Sequence, residues 1–194
     1  EGASAHWVDA DTLLWDHAKS AATVELYHSK SVAITYDSAT KKISGGSVII
    51  LDSGSASDAV KAKFPHLKES AAFSIPADAA TVKDILKGQL IAVARNAEGE
   101  ITALTKVQIP GVLDALYTGS DEVGRNADKQ TLGAVVDGAN VSFNVWAPTA
   151  QKVELMVYDD VEQLKAGYPK MMSDADGDGV YTLVSEENLI GEYY

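Results

Sequence analysis

The sequence predicts a mainly β chain made of two β-sandwich domains in tandem, the first carrying two or three short helices. Three observations lead there. Short β-branched and aromatic runs recur between turn residues along the first two thirds. Clean alternation of apolar and polar residues returns only after residue 140. Between these regions lies Gly119 to Lys129, a polar stretch with two glycines and no periodicity, read as the linker. The expected domains are 1–122 and 123–194.

Taken in order, Thr23 to Tyr27, Val32 to Tyr36 and Ser47 to Leu51 read as strands. Each is bounded by turn chemistry: Tyr36-Asp37-Ser38-Ala39-Thr40, Gly45-Gly46 and Asp52-Ser53-Gly54. Leu90 to Arg95 and Ile101 to Gln108 flank Asn96-Ala97-Glu98-Gly99-Glu100, the pattern of a hairpin. Helices are expected at Asp58 to Lys63 after a Ser57 cap, at Thr81 to Lys87 with Gly88 as its stop, and at Pro110 to Leu116. Beyond the linker, Asp137-Gly138 turns the chain into a strand with Val141, Phe143 and Val145 on one face. Pro148-Thr149-Ala150 separates it from a second, with Val153, Leu155 and Val157 on one face. Val180 to Val184 is the last of these strands.

Composition excludes several functions. Sixteen basic against twenty-eight acidic residues give a formal charge of −12, which repels nucleic-acid phosphates and anionic lipid. Such a surface suits neutral ligands, sugars among them, and equally serves solubility. The chain has no cysteine, so disulfides, thiolate zinc sites and cysteine nucleophiles are out. No stretch of eighteen uncharged apolar residues exists, so no membrane-spanning helix is expected. Glu1 to Ser4 show neither the basic nor the apolar stretch of an export signal.

A resemblance appears in the second half. Leu132-Gly133-Ala134, then Val141-Ser142-Phe143-Asn144-Val145-Trp146-Ala147-Pro148-Thr149-Ala150, then Val153-Glu154-Leu155-Met156-Val157-Tyr158 resemble the start of carbohydrate-binding module family 48. That immunoglobulin-like domain precedes the catalytic barrel in starch-branching and debranching enzymes. Gly191-Glu192-Tyr193-Tyr194 looks like the family's Gly-x-Tyr-Tyr strand, which implies that the chain stops inside this domain and leaves a free sheet edge. In the first half, Ala5-His6-Trp7-Val8-Asp9 with Thr12-Leu13-Leu14-Trp15 resembles the opening of the domain that precedes this module in pullulanases and limit dextrinases. Phe73-Ser74-Ile75-Pro76 and Leu90-Ile91-Ala92-Val93 fit the same layout, and the tandem order points to pullulanase-type enzymes of glycoside hydrolase family 13.

The resemblance implies a parent enzyme that hydrolyses α-1,6 linkages in pullulan, amylopectin or glycogen-derived dextrins. Its catalytic acids would lie on a (β/α)₈ barrel of roughly 250 residues. These 194 residues, filled with β-domains, leave no room for that barrel. The expected partners are therefore the barrel of the same polypeptide and an α-glucan, with no nucleic acid and no membrane span. The resemblance also implies a bacterial secreted or cell-surface protein, with a plastid relative as the alternative.

No catalytic residue is predicted within the chain. Asp9 with Asp11 is one chance carboxyl pair and reads as a solvated turn. His6, His17, His28 and His66 show no metal spacing, and no Gly-x-Ser-x-Gly elbow exists. Sugar rings stack on flat aromatic faces. Trp7 and Trp15 are the candidates for carbohydrate binding, since both stand on one surface if their segments pair; Tyr27, Tyr158, Tyr168 and Tyr193 are further aromatic residues of this kind. The competing reading makes the tryptophans core residues, and Trp146 of the Trp-Ala-Pro signature a packing residue.

Asp174-Ala175-Asp176-Gly177-Asp178-Gly179 matches the start of a calcium loop. Asp174, Asp176 and Asp178 fall at positions 1, 3 and 5, and the carbonyl of Val180 at position 7. The match ends at position 12, where Ser185 stands and Glu186 comes one residue late. Two readings stay open, a Ca²⁺ site and a tight hairpin turn whose Asp and Gly residues tolerate positive φ. A calcium-dependent, stand-alone immunoglobulin-like adhesion protein is the corresponding alternative function, and no cofactor is required by the first reading.

Overall fold

Strands β1 (Ala5–Asp9) and β2 (Thr12–Trp15) form an antiparallel pair in which Trp7 lies opposite Leu13. Their apolar residues do not alternate with polar ones, because both faces are covered. Trp7, Leu13 and Trp15 face one way, and Val8 and Leu14 face a cluster with Val60 and Ala72 on the other. Val60 belongs to α1 (Asp58–Lys63), whose first turn is held by the Ser57 hydroxyl accepting the Val60 N–H at 3.2 Å. The computed structural model describes residues 3–160, 162–189 and 191–194, and resolves two compact units, Glu1–Leu116 and Tyr117–Tyr194.

Among the described residues, seven strands of the first unit close into a ring. Besides β1 and β2 these are β3 (Thr23–Ser29), β6 (Ser47–Gly54), β7 (Ala71–Ser74), β8 (Gln89–Arg95) and β9 (Ile101–Gln108), while β4 (Thr35–Asp37) and β5 (Lys42–Ser44) form a separate hairpin. Two strands do the joining. β6 pairs with β3 through Ser47 to Leu51 and then with β7 through Asp52 to Gly54. β9 pairs with β8 and, at Val107 and Gln108, runs parallel to β1. The expected two-sheet sandwich is thus closed at both sides by strands that pass from one sheet to the other, which removes exposed edges from the ring.

Three sequence expectations are modified here. The strand expected at Val32 to Tyr36 shortens to β4 and Val32 is 90% exposed, because Ile34 is paired by a side chain instead. The Gln89 amide accepts the Ile34 N–H and donates to its carbonyl, both at 3.0 Å, standing in for a neighbouring strand. The second helix, α2 (Ala79–Ile85), begins earlier than Thr81, capped by Asp78, whose carboxylate accepts the Thr81 N–H at 2.7 Å. Gly88 is needed for close approach: a Cβ there would sit 2.0 Å from the Ser29 carbonyl oxygen. The third helix, α3 (Pro110–Tyr117), is as expected.

The second unit holds a three-stranded sheet in the order β10 (Gly133–Asp137), β11 (Asn140–Trp146), β14 (Val180–Ser185). A two-stranded ladder of β12 (Glu154–Leu155) and β13 (Lys170–Met171) accompanies it. Val141, Phe143, Leu155, Val157, Tyr168, Met172, Tyr181 and Leu189 make the core. The stretch read as a linker is locally hydrogen bonded. Gly119 N–H donates to Asp128, Ser120 N–H to the Arg125 carbonyl, and Lys129 pairs with Asp121.

Candidate carbohydrate and metal sites

Pairing of β1 with β2 does place Trp7 and Trp15 on one face, as diagonal neighbours about Leu13. That face is the interior of the first unit. Trp7 is 0% and Trp15 1% exposed, so neither ring offers a surface for a pyranose to stack on. The carbohydrate-binding assignment of these two residues is corrected to core packing. Both indole Nε1 atoms are buried without a hydrogen-bond partner, so it is ring volume, not polarity, that these positions use. The large exposed aromatics among the described residues are Tyr36, Tyr193 and Tyr194.

The Asp-rich turn is built from its own carboxylates. One Asp174 oxygen accepts the Gly177 N–H at 2.8 Å and the other accepts the Gly179 N–H at 3.0 Å. Asp178, 2% exposed, accepts the Val180 N–H at 2.9 Å, whereas Asp176 is exposed. Val180 starts β14 opposite Trp146. Gly177 and Gly179 take φ of +72° and +80°, the left-handed region that favours glycine. Among the described residues no group of three or more His, Cys, Asp or Glu side chains is placed to hold a metal ion.

This turn also carries the Trp-Ala-Pro signature. Ala147 N–H donates to the Gly179 carbonyl at 2.8 Å, and the Trp146 Nε1–H to the Asp178 carbonyl at 3.3 Å. A Cβ on Gly179 would lie 2.8 Å from Pro148 Cβ and 3.1 Å from Trp146 Nε1. The turn is therefore the seat of the signature. Sequence reading missed the link because Pro148 and Gly179 are distant in the chain; the alternation of Asp and Gly showed only that a special turn was there. Nearby, the buried Tyr117 hydroxyl is pushed up to about 12 by desolvation, with the Asp174 carboxylate adding to the effect.

The histidines lie in the first unit, away from the Asp-rich turn. His6 of β1 meets His66 edge-on at 6.4 Å between ring centroids. Burial, and then the neighbouring His66, hold the His6 imidazole below its ordinary value. Burial does the same to His28, against the opposing pull of Asp84.

Residues 2–115 match the family model described as Pullulanase N2 domain. The chain belongs to the pullulanase N2 domain family. Residues 131–194 match Carbohydrate-binding module 48 (Isoamylase N-terminal domain). A pullulanase of Klebsiella pneumoniae is 34% identical over 99% of this chain and 17% of its own length. Pullulanase 1, chloroplastic, of Arabidopsis thaliana is 32% identical over 79% of this chain and 15% of its own. The crystal structure of apo pullulanase from Klebsiella pneumoniae superposes with a TM-score of 0.86 at 32% identity, covering 99% of this chain and 20% of that one. This N2-family chain thus spans about a sixth of the length of the curated pullulanases it matches. Its two matched segments, 2–115 and 131–194, are a pullulanase N2 domain and a carbohydrate-binding module 48 in tandem.

Proposed function

We propose that this chain supplies the positional, non-catalytic modules of a larger pullulanase, a glycoside hydrolase acting on α-1,6 bonds in pullulan, amylopectin and related α-glucans. The observation that carries this reading is the extent of the match: 99% of the chain aligns with one fifth of a pullulanase at 32% identity and a TM-score of 0.86. The role is scaffolding. The two tryptophans first read as a sugar platform, Trp7 and Trp15, are spent on the core of the first unit, and the Asp-rich turn is spent on seating Trp146 and Pro148. Catalytic carboxyls would be supplied by a barrel elsewhere in the polypeptide, and the α-glucan would meet that barrel first. The Klebsiella relatives support a bacterial setting, within which we place the parent as secreted or cell-surface; the chloroplastic relative supports the plastid alternative. Among the described residues no helix is long and apolar enough to cross a membrane.

The test uses the parent enzyme with and without residues 1–194. Scaffolding predicts a shortened thermal half-life after deletion, with KM for pullulan unchanged at temperatures where the truncated enzyme survives. A raised KM with an unchanged half-life would make the modules substrate anchors instead.

A further inference from the structure

Two histidines far apart in the chain meet on the surface of the first unit. His6 of β1 lies opposite Leu14, so it shares the face of the sheet that packs on α1, Phe64 and Leu67. His66 stands in the 3₁₀ turn Pro65–Leu67 that follows α1, where the Leu67 N–H donates to the Phe64 carbonyl at 2.9 Å. The two ring centroids are 6.4 Å apart with their planes at 81°. Both rings line one cavity of about 140 Å³, together with Phe64, Gln108 and Gly111. The frame around it is tight. A Cβ on Gly111 would lie 2.8 Å from Val8 Cα and 3.0 Å from Phe64 Cζ, so α3 packs directly on β1 and on Phe64 beside the histidines.

The chemistry of the cavity selects its ligand. Among the described residues neither imidazole makes a hydrogen bond, so their ring nitrogens are uncommitted. No Lys, Arg, Asp or Glu side chain lines the cavity among those described, which leaves imidazole nitrogen as its strongest ligand. Lys63, over the Phe64 ring at 5.5 Å, has its charge answered by Asp114 at 3.6 Å. Neutral imidazole suits zinc, copper and nickel ions, whereas calcium and magnesium take oxygen ligands. When two imidazoles share one ion through nitrogens about 2.0–2.1 Å from it, their centroids are about 4.5–6.4 Å apart, from a right-angled to a linear arrangement. The observed 6.4 Å is at the upper end of that range, and the exposed His66 side chain is free to close the remainder.

We propose that His6 and His66 form a two-point binding site for a divalent transition-metal ion, with water in the remaining positions. Bound there, the ion clips β1 to the turn after α1. It stabilises the first unit, because the unfolded chain does not hold the two rings together. No spacing in the sequence announces the pair, since its members come from different elements. The proposal is independent of the pullulanase reading, which concerns what the whole chain does for its parent.

Calorimetric titration of the untagged 194-residue chain with Cu²⁺, repeated with Ni²⁺, tests it. One ion binds per chain, the electron paramagnetic resonance spectrum of the copper form shows two imidazole nitrogens, and the melting temperature of the first unit rises. His66→Gln, a change at an exposed position, weakens binding by about 100-fold, because a single imidazole loses the chelate. His6→Gln does the same, and the double variant loses little more than either. His17→Gln and His28→Gln bind as the original chain does. Affinity kept in His66→Gln, a one-nitrogen spectrum, or affinity lost in His17→Gln or His28→Gln overturns the proposal. So does an ion that binds without raising the first unit's melting temperature.

Discussion

Replacing Gly179 by alanine imposes two penalties that the neighbouring Gly177 separates. At Gly179 the φ of +80° puts an L-residue in the left-handed region, and the new Cβ meets Pro148 Cβ at 2.8 Å, Pro148 Cα at 3.0 Å and Trp146 Nε1 at 3.1 Å. The backbone term costs about 1–2 kcal/mol. Crowding against a proline ring, which cannot rotate away, adds about 1–3 kcal/mol. Gly177 has φ +72° with nothing within 4 Å, so Gly177→Ala carries the backbone term alone. The account predicts a loss of about 2–5 kcal/mol for Gly179→Ala against about 1–2 kcal/mol for Gly177→Ala. The assay is urea unfolding of 5-fluorotryptophan protein by fluorine NMR. The chain has three tryptophans, and Trp146 reports the second unit while Trp7 and Trp15 report the first. With a urea slope of about 1 kcal/mol/M for a unit this small, the Trp146 midpoint falls by about 2 M or more for Gly179→Ala. Equal midpoint shifts for the two variants would refute the idea that the turn is clamped on Pro148.

Three further outcomes follow from the same geometry. Trp15→Ala costs the first unit about 3–5 kcal/mol by opening a core cavity, whereas Trp15→Phe, which also removes an unpartnered indole N–H, costs less than half of that in calorimetry. The first unit loses stability as the pH falls: His6 and His28 are held below their ordinary value in the fold, so the unfolded chain takes up protons first, from about pH 6.5 downward. His28→Asn flattens that slope, and a slope unchanged by the variant would assign it to other groups. Millimolar Ca²⁺ or its removal by chelator leaves the melting temperature of the second unit unchanged, because both Asp174 oxygens already accept backbone N–H groups; a calcium-dependent rise would decide for the metal reading of Asp174, Asp176, Asp178 and Val180.

Much of this fold was legible where a segment's pattern depends on its own neighbours. The hairpin of β8 and β9 and the Ser57-capped helix α1 follow from turn residues, spacing and a cap. The mainly β class follows from the same runs, and the tandem of modules from the Trp-Ala-Pro and Ala-x-Trp-Val motifs. What escaped depends on partners far along the chain. Val32 has strand propensity, yet the Gln89 side chain takes the backbone of Ile34 and leaves Val32 in water. Gly88 looked like a helix stop, and its reason is the Ser29 carbonyl. Trp7 and Trp15 were correctly placed on one surface, but whether that surface is inside or outside depends on ring closure through β6 and β9, which no local pattern announces. The Asp-rich turn advertised its backbone geometry and hid its purpose, since its partner Pro148 lies in another segment.

Affinity electrophoresis of the 194-residue chain in gels cast with and without pullulan tests the central claim most directly. The account predicts the same mobility in both gels, because the tryptophans that would hold a sugar are in the core and the modules serve as scaffold. Retardation by pullulan, relieved by soluble maltotriose and kept in Trp15→Phe, would contradict it and make this chain a glucan anchor through a surface other than the one its tryptophans suggested.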